Sequence, residues 1–245
     1  MTNLYRIKAF SMMAWWIACS IFVWPVALMA LALVLFPLGF VLSYFQPSYL
    51  SPNYQYYQFV VMIIVAPIFG MLIAASMSFL QGWVLRTRLY WAADDWRKWT
   101  VLGGAVGGYT VLILSYILDN YVSGYSYIGD SAIILAMPVF ITIISAFQFF
   151  ALRHAVKDAW LWILGNAVAG IVFAGLLIGN QPAYTDPDYE LMQLGLIVLA
   201  PLVLGFITGY VMLFLFEKKL LPMQPATVPV VVERNRPPSI WDDAL

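Results

Sequence analysis

Charge is what this sequence has least of: Asp, Glu, Lys and Arg make up 10% of its 245 residues, while 63% are hydrophobic. A water-soluble domain carries about 25% charged residues, so the composition excludes that class and points to lipid as the solvent. Acids and bases balance at 12 each, so no basic excess suggests a nucleic-acid partner. A single cysteine, Cys19, lies inside an apolar run and excludes an internal disulfide; it reads as a small packed residue. A single histidine, His154, follows Arg153. One imidazole supplies neither a bis-histidine haem nor the ligand set of a common zinc site. It reads as a solvated or interfacial side chain, with a pigment or quinone contact shared with another subunit as the functional alternative.

A further scarcity concerns position. No Asp, Glu, Lys or Arg falls near the middle of any apolar run, whereas proton relays and ion-coupled carriers use an ionisable group there. Nor is a nucleophile assembled with a base, as a membrane protease or transferase needs. The expectation is a protein that is not an enzyme and carries no cofactor or metal.

What is abundant is long apolar sequence. A spanning helix takes about 20 apolar residues, and the chain divides into six such spans, at about 15–45, 59–85, 99–118, 131–152, 160–179 and 191–216. The expected fold class is all-α, a polytopic membrane helical bundle over residues 1–221. Residues 222–245, with five prolines and no helical period, read as an extended cytoplasmic tail whose VPVVV and SIW patches suit ordering on a partner. Residues 9–45 would form a rod of about 55 Å, longer than the roughly 30 Å of hydrocarbon. Pro25 and Pro37 are expected kinks, and the stretch around Tyr5 to Trp16 is expected to lie along the interface before the first crossing.

The charges orient this bundle. With six spans and both termini inside, every Lys and Arg falls on the inner side, while Asp119, Asp130, Asp186, Asp188 and Glu190 face out, as the positive-inside rule requires. The acids Asp186, Asp188 and Glu190 have the spacing of a weak divalent-cation site. Asp186 before Pro187 is also a helix N-cap followed by its first residue, and capping is the preferred reading.

Two inner turns look alike. QGWVLRTRLYWAADDWRKW and QFFALRHAVKDAWLW both begin Gln-x-x-x-Leu-Arg and end in a tryptophan pair before small residues. The even spans each hold a proline in the outer half, Pro67, Pro138 and Pro201. Together these suggest three pseudo-repeated hairpins. Gln81 and Gln148, a turn inside their arginines, are expected to bridge neighbouring helices by hydrogen bonds.

Arg86, Arg88, Trp91, Trp96, Arg97, Lys98 and Arg153 form a basic and aromatic cluster suited to anionic lipid headgroups or an acidic partner surface; the plainer reading is ordinary interfacial snorkelling. Gly103, Gly107, Gly175, Gly179, Gly205 and Gly209, with Gly104 and Gly108, stand in small-x-x-x-small pairs. They are expected to let helices approach closely, within the chain or across a homo-oligomer or membrane-protein partner.

In its repeated Gln-x-x-x-Leu-Arg turn, followed by Trp and a glycine-rich helix start, the chain resembles uncharacterised bacterial multi-spanning membrane proteins. The resemblance covers roughly residues 60–180 and implies a bacterial plasma-membrane location but no activity and no functional residue. The functional expectation is a non-catalytic accessory or scaffold subunit of a larger membrane complex, such as a respiratory or photosynthetic one. The alternative is a facilitator for a lipid or small apolar solute, its path lined by the proline-bearing spans.

Overall fold

A computed structural model describes residues 2–48, 50–87, 89–121, 129–179 and 189–218. Among them are six helices: α1 (Thr2–Ser43), α2 (Tyr54–Arg86), α3 (Tyr90–Tyr121), α4 (Gly129–Leu152), α5 (Trp160–Gly179) and α6 (Tyr189–Lys218). Each contains a segment long and apolar enough to cross a membrane. Helices are what such a sequence must form in lipid, because no water is present to satisfy a free backbone N–H or C=O. The tail at 222–245 and the acids Asp186 and Asp188 lie outside the described residues.

α1 departs from expectation. It is one continuous helix of 42 residues that runs through both Pro25 and Pro37, about 63 Å at 1.5 Å per residue. The segment expected to lie flat at the interface instead enters the bundle, since Met12 and Trp16 are buried in the core. Packing of Trp16 against α3, α5 and α6 outweighs the interfacial preference of tryptophan. The first inner turn is also shorter than its sequence suggests. α2 ends at Arg86 and α3 begins at Tyr90, so the acidic and basic run around Asp94 to Lys98 is helical.

Each helix packs chiefly on its two neighbours in the chain, and α6 packs on α1, so the six form a closed ring. Glycine sets the spacing between α2 and α3. A Cβ on Gly70 would run into the Gly104 carbonyl oxygen, and one on Gly108 into the Ala66 carbonyl oxygen. In lipid, where burying apolar area against apolar area gains little, such backbone-to-backbone approach is the main source of packing energy. Gly103 and Gly107 face α4, where a Cβ would stand 2.9 Å from Phe147 Cβ and 2.8 Å from Phe140 Cδ2. Gly170 of α5 lies against the backbone of Pro138 in α4, so a small residue covers the place where proline interrupts the helical ladder.

Of the remaining glycines, Gly205 packs on Ser20 and Ile17, and Gly209 on Trp16; both hold α6 against α1. Gly175 meets nothing within 4 Å, so its expected packing role within this chain is withdrawn: it sits on an outward face of α5. The surroundings of Gly179 lie outside the described residues. Large apolar side chains cover the outside of the bundle, Phe22, Leu33, Phe79 and Phe206 among them, the surface that lipid tails require.

Candidate functional site

The largest fully buried side chains are three tryptophans, Trp16 in α1, Trp96 in α3 and Trp162 in α5. They meet pairwise. Trp16 and Trp162 are 5.8 Å apart between ring centroids, Trp16 and Trp96 6.2 Å, and Trp96 and Trp162 5.5 Å. The three odd-numbered helices therefore each contribute one indole to a triangle across the ring, with edge-on and tilted pairs that each add about 0.5–1.5 kcal/mol beyond simple contact.

A second residue follows each tryptophan by four positions, one helical turn on. Ser20 Oγ donates to the Trp16 carbonyl at 3.0 Å, Thr100 Oγ1 to the Trp96 carbonyl at 2.6 Å, and Asn166 Nδ2 to the Trp162 carbonyl at 2.8 Å. The pattern is Trp-x-x-x-Ser/Thr/Asn, with the polar side chain folded back onto its own helix. That bond satisfies one group at depth and leaves the hydroxyl lone pairs able to accept from a neighbour.

The even-numbered helices supply the bridges. Gln148 of α4 lies between α3 and α5; its Nε2 donates to Thr100 Oγ1 at 3.0 Å, and its Oε1 accepts from Trp162 Nε1 at 2.9 Å. This carries out the helix-bridging role expected of Gln148. In α6, Thr208 Oγ1 accepts from Trp16 Nε1 at 3.1 Å and donates to the Leu204 carbonyl. α2 offers the same kind of group at Gln81, 2% exposed, but Gln81 Oε1 is buried with no hydrogen-bond partner among the described residues, and so is Trp96 Nε1. Two of three stations are closed and the third is open.

Beneath the indole layer lies a cavity of about 50 Å³. Its walls are mainly apolar, with Val23, Trp24, Ile73, Met77, Phe140 and Ile144 among them, and its polar lining comes from Ser20, Gln81, Asn166 and Thr208. No ionisable side chain lines it. Among the described residues no three His, Cys, Asp or Glu side chains gather as a metal site.

The basic and aromatic cluster is split by the fold. Arg86 at the end of α2 bonds Asp94 near the start of α3, Nη2 to Oδ1 at 2.9 Å, and straddles the turn. Arg97 is 3.8 Å from the same Asp94 and reaches back over Gly82 and the Phe79 ring of α2. Lys98 is 78% exposed, and exposed Arg153 lies over the Phe150 ring and donates to His154 Nε2 at 3.0 Å. These four cations share one end of the bundle with the two short turns. Trp96 does not join them: at 0% exposure it is a core residue, so its expected contact with lipid headgroups or a partner is withdrawn. Arg88 and the side chain of Trp91 lie outside what is described.

Sequence reasoning did not find the indole triangle or the Trp-x-x-x-Ser/Thr/Asn pattern. A signal was present in α3, where Ala92, Ala93, Trp96 and Thr100 are buried while Asp94, Asp95 and Lys98 are exposed, a stripe at helical spacing. Gly70 was also missed, although Ala66, Gly70 and Ala74 stand at four-residue intervals on the face that meets Gly104 and Gly108. No family model, no curated protein and no solved structure matches this chain.

Proposed function

We propose that this protein is a non-catalytic integral membrane protein that serves as an accessory or scaffold subunit in a larger complex of the bacterial plasma membrane. The observation that carries the reading is the use made of polar groups at depth. Ser20, Thr100, Gln148, Trp162, Asn166 and Thr208 hydrogen-bond one another or their own helices. They fasten the ring instead of presenting a reactive centre, and satisfied buried networks of this kind rigidify a fold. A rigid body with apolar walls and a basic rim is suited to bracing neighbouring subunits. Arg86, Arg97, Lys98 and Arg153 at that rim would bind anionic lipid or an acidic partner surface, and their clustering at one end supports a cytoplasmic location for both short turns.

The three Trp and bridge stations also fit a degenerate internal repeat whose units are α2 with α3, α4 with α5, and α6 with α1. Gentle extraction of the native membrane tests the subunit reading. The tagged chain is expected to migrate with a defined set of partner proteins, and an isolated monomer in every mild detergent would overturn it.

The cavity favours a second reading, a facilitator for a small apolar solute or lipid. Liposome flux that disappears when Pro67, Pro138 and Pro201 are replaced by Ala would support it.

A further inference from the structure

We infer that the cavity inside the helix ring is a binding site for a small apolar molecule drawn from the bilayer, selected by its size. The inference shares with the facilitator reading only the apolar nature of the occupant, and it requires no passage across the membrane.

The first observation is where the space lies. Residues of α1, α2, α4, α5 and α6 line it, so it is enclosed by the ring and is not a groove on the lipid-facing surface. It also falls where packing is interrupted. The buried core forms two separate clusters, one around the three indoles and one that includes Ala27, Ile73, Phe140 and Ile144, and three members of the second, Ile73, Phe140 and Ile144, wall the cavity. Side chains that border a void lack partner atoms on that side, and a guest of matching size restores those contacts.

The second observation is how little the space offers a polar guest. Ser20, Asn166 and Thr208 donate to the carbonyls of Trp16, Trp162 and Leu204, Thr208 Oγ1 also accepts from Trp16 Nε1, and Gln81 Oε1 is enclosed by packed atoms, out of reach of a guest. A buried water needs about two to four polar partners, whereas a cavity walled by carbon stays dry and takes up apolar guests. With no ionisable side chain in the lining, a charged guest would lack a counter-charge, which is strongly unfavourable.

The third observation is size. At about 10–15 Å³ for each water-sized group, a cavity of about 50 Å³ takes roughly three to five such groups. Lipid tails are as apolar as these walls, so a guest gains little from the change of medium and is chosen by fit. Met77 and Met137 in the wall are unbranched and adapt to small differences of shape.

The test uses the full chain in nanodiscs with ¹⁵N-labelled tryptophan, and reads the indole N–H resonance of Trp24, which lines the cavity. The probes are propane and cyclohexane, both soluble in lipid and different in bulk. Propane is expected to shift the resonance saturably and cyclohexane to leave it unchanged. The propane response is lost in Val23→Phe, which fills the space, and Ile144→Ala, which enlarges it, admits cyclohexane. A shift that grows linearly with both hydrocarbons, an equal response to the two in the parent chain, persistence in Val23→Phe, a size limit unmoved by Ile144→Ala, or no response to propane because water or a lipid methyl end holds the cavity would each overturn the inference. Should Val23→Phe fail to fold, the hydrocarbon pair and Ile144→Ala decide. Saturable binding without liposome flux supports the inference and removes only the facilitator reading.

Discussion

Gln81 and Gln148 begin the same local sequence, Gln-x-x-x-Leu-Arg, near the end of α2 and of α4, and both are buried to 2% or less. Their surroundings nevertheless differ. Gln148 joins three helices, accepting a hydrogen bond from Trp162 and donating one to Thr100. Gln81 has an empty acceptor beside a cavity, and the tryptophan on the following helix, Trp96, has an empty donor. One helix pair explains part of the contrast: α2 and α3 are drawn together by Gly70, Gly104 and Gly108, while α4 and α5 lack such a backbone contact except at Gly170 and Pro138. Where glycines fix the spacing, the amide is free of the structural task; where they do not, the amide carries it.

The sharpest way to break this comparison is Gln148→Leu. It orphans the Trp162 N–H and removes the bridge to Thr100, and buried groups left unpaired cost about 1–3 kcal/mol each. Partial rescue from other polar groups in the membrane lowers that figure. A loss of about 2–4 kcal/mol is expected, read as an earlier transition in dodecyl sulfate unfolding.

A smaller effect separates the tryptophans. Trp162→Phe gives up the hydrogen bond as well as ring area, whereas Trp96→Phe gives up ring area alone. The first is expected to be more destabilising by about 1 kcal/mol in the same unfolding experiment; equal losses would show that the Gln148 bond contributes nothing.

The smallest effect belongs to Gln81→Leu. Replacing an unpaired buried acceptor with a side chain of similar bulk removes a liability, and stability is expected to stay within about 0.5 kcal/mol of the parent. A loss matching that of Gln148→Leu would abolish the distinction between the two stations.

Much of the architecture could be read from composition and spacing. Six apolar runs define six helices because lipid leaves the backbone no other way to bond, and Gln148 could be assigned a bridging role because an amide at depth needs partners. The interior face of each helix was harder to read. In water the buried side is marked by its apolar stripe, but in lipid both sides are apolar, so the stripe disappears in helices such as α1. Tryptophan misled for a related reason. Trp15, Trp83 and Trp160 are exposed, as a preference for the membrane interface requires, but Trp16, Trp96 and Trp162 are buried in the core. Ser20, Thr100 and Asn166 stand one turn beyond the inward tryptophans, but exposed Trp83 has Thr87 at the same spacing, so the pattern separates the two groups only after the ring is seen to close. The open station and its cavity had no sequence signal at all, since they arise from how closely two helices meet.

Ring closure has a bearing on biogenesis. α1, which precedes the other five described helices, completes its contacts against α6, which follows them: Trp16 bonds Thr208, and Ser20 lies against Gly205. Until α6 leaves the ribosome, α1 waits in the bilayer with that indole N–H lacking its native acceptor and with one flank open to lipid. A chaperone or a neighbouring helix that shields this flank during translation would act on α1 alone, and a nascent chain arrested before α6 would expose it for capture.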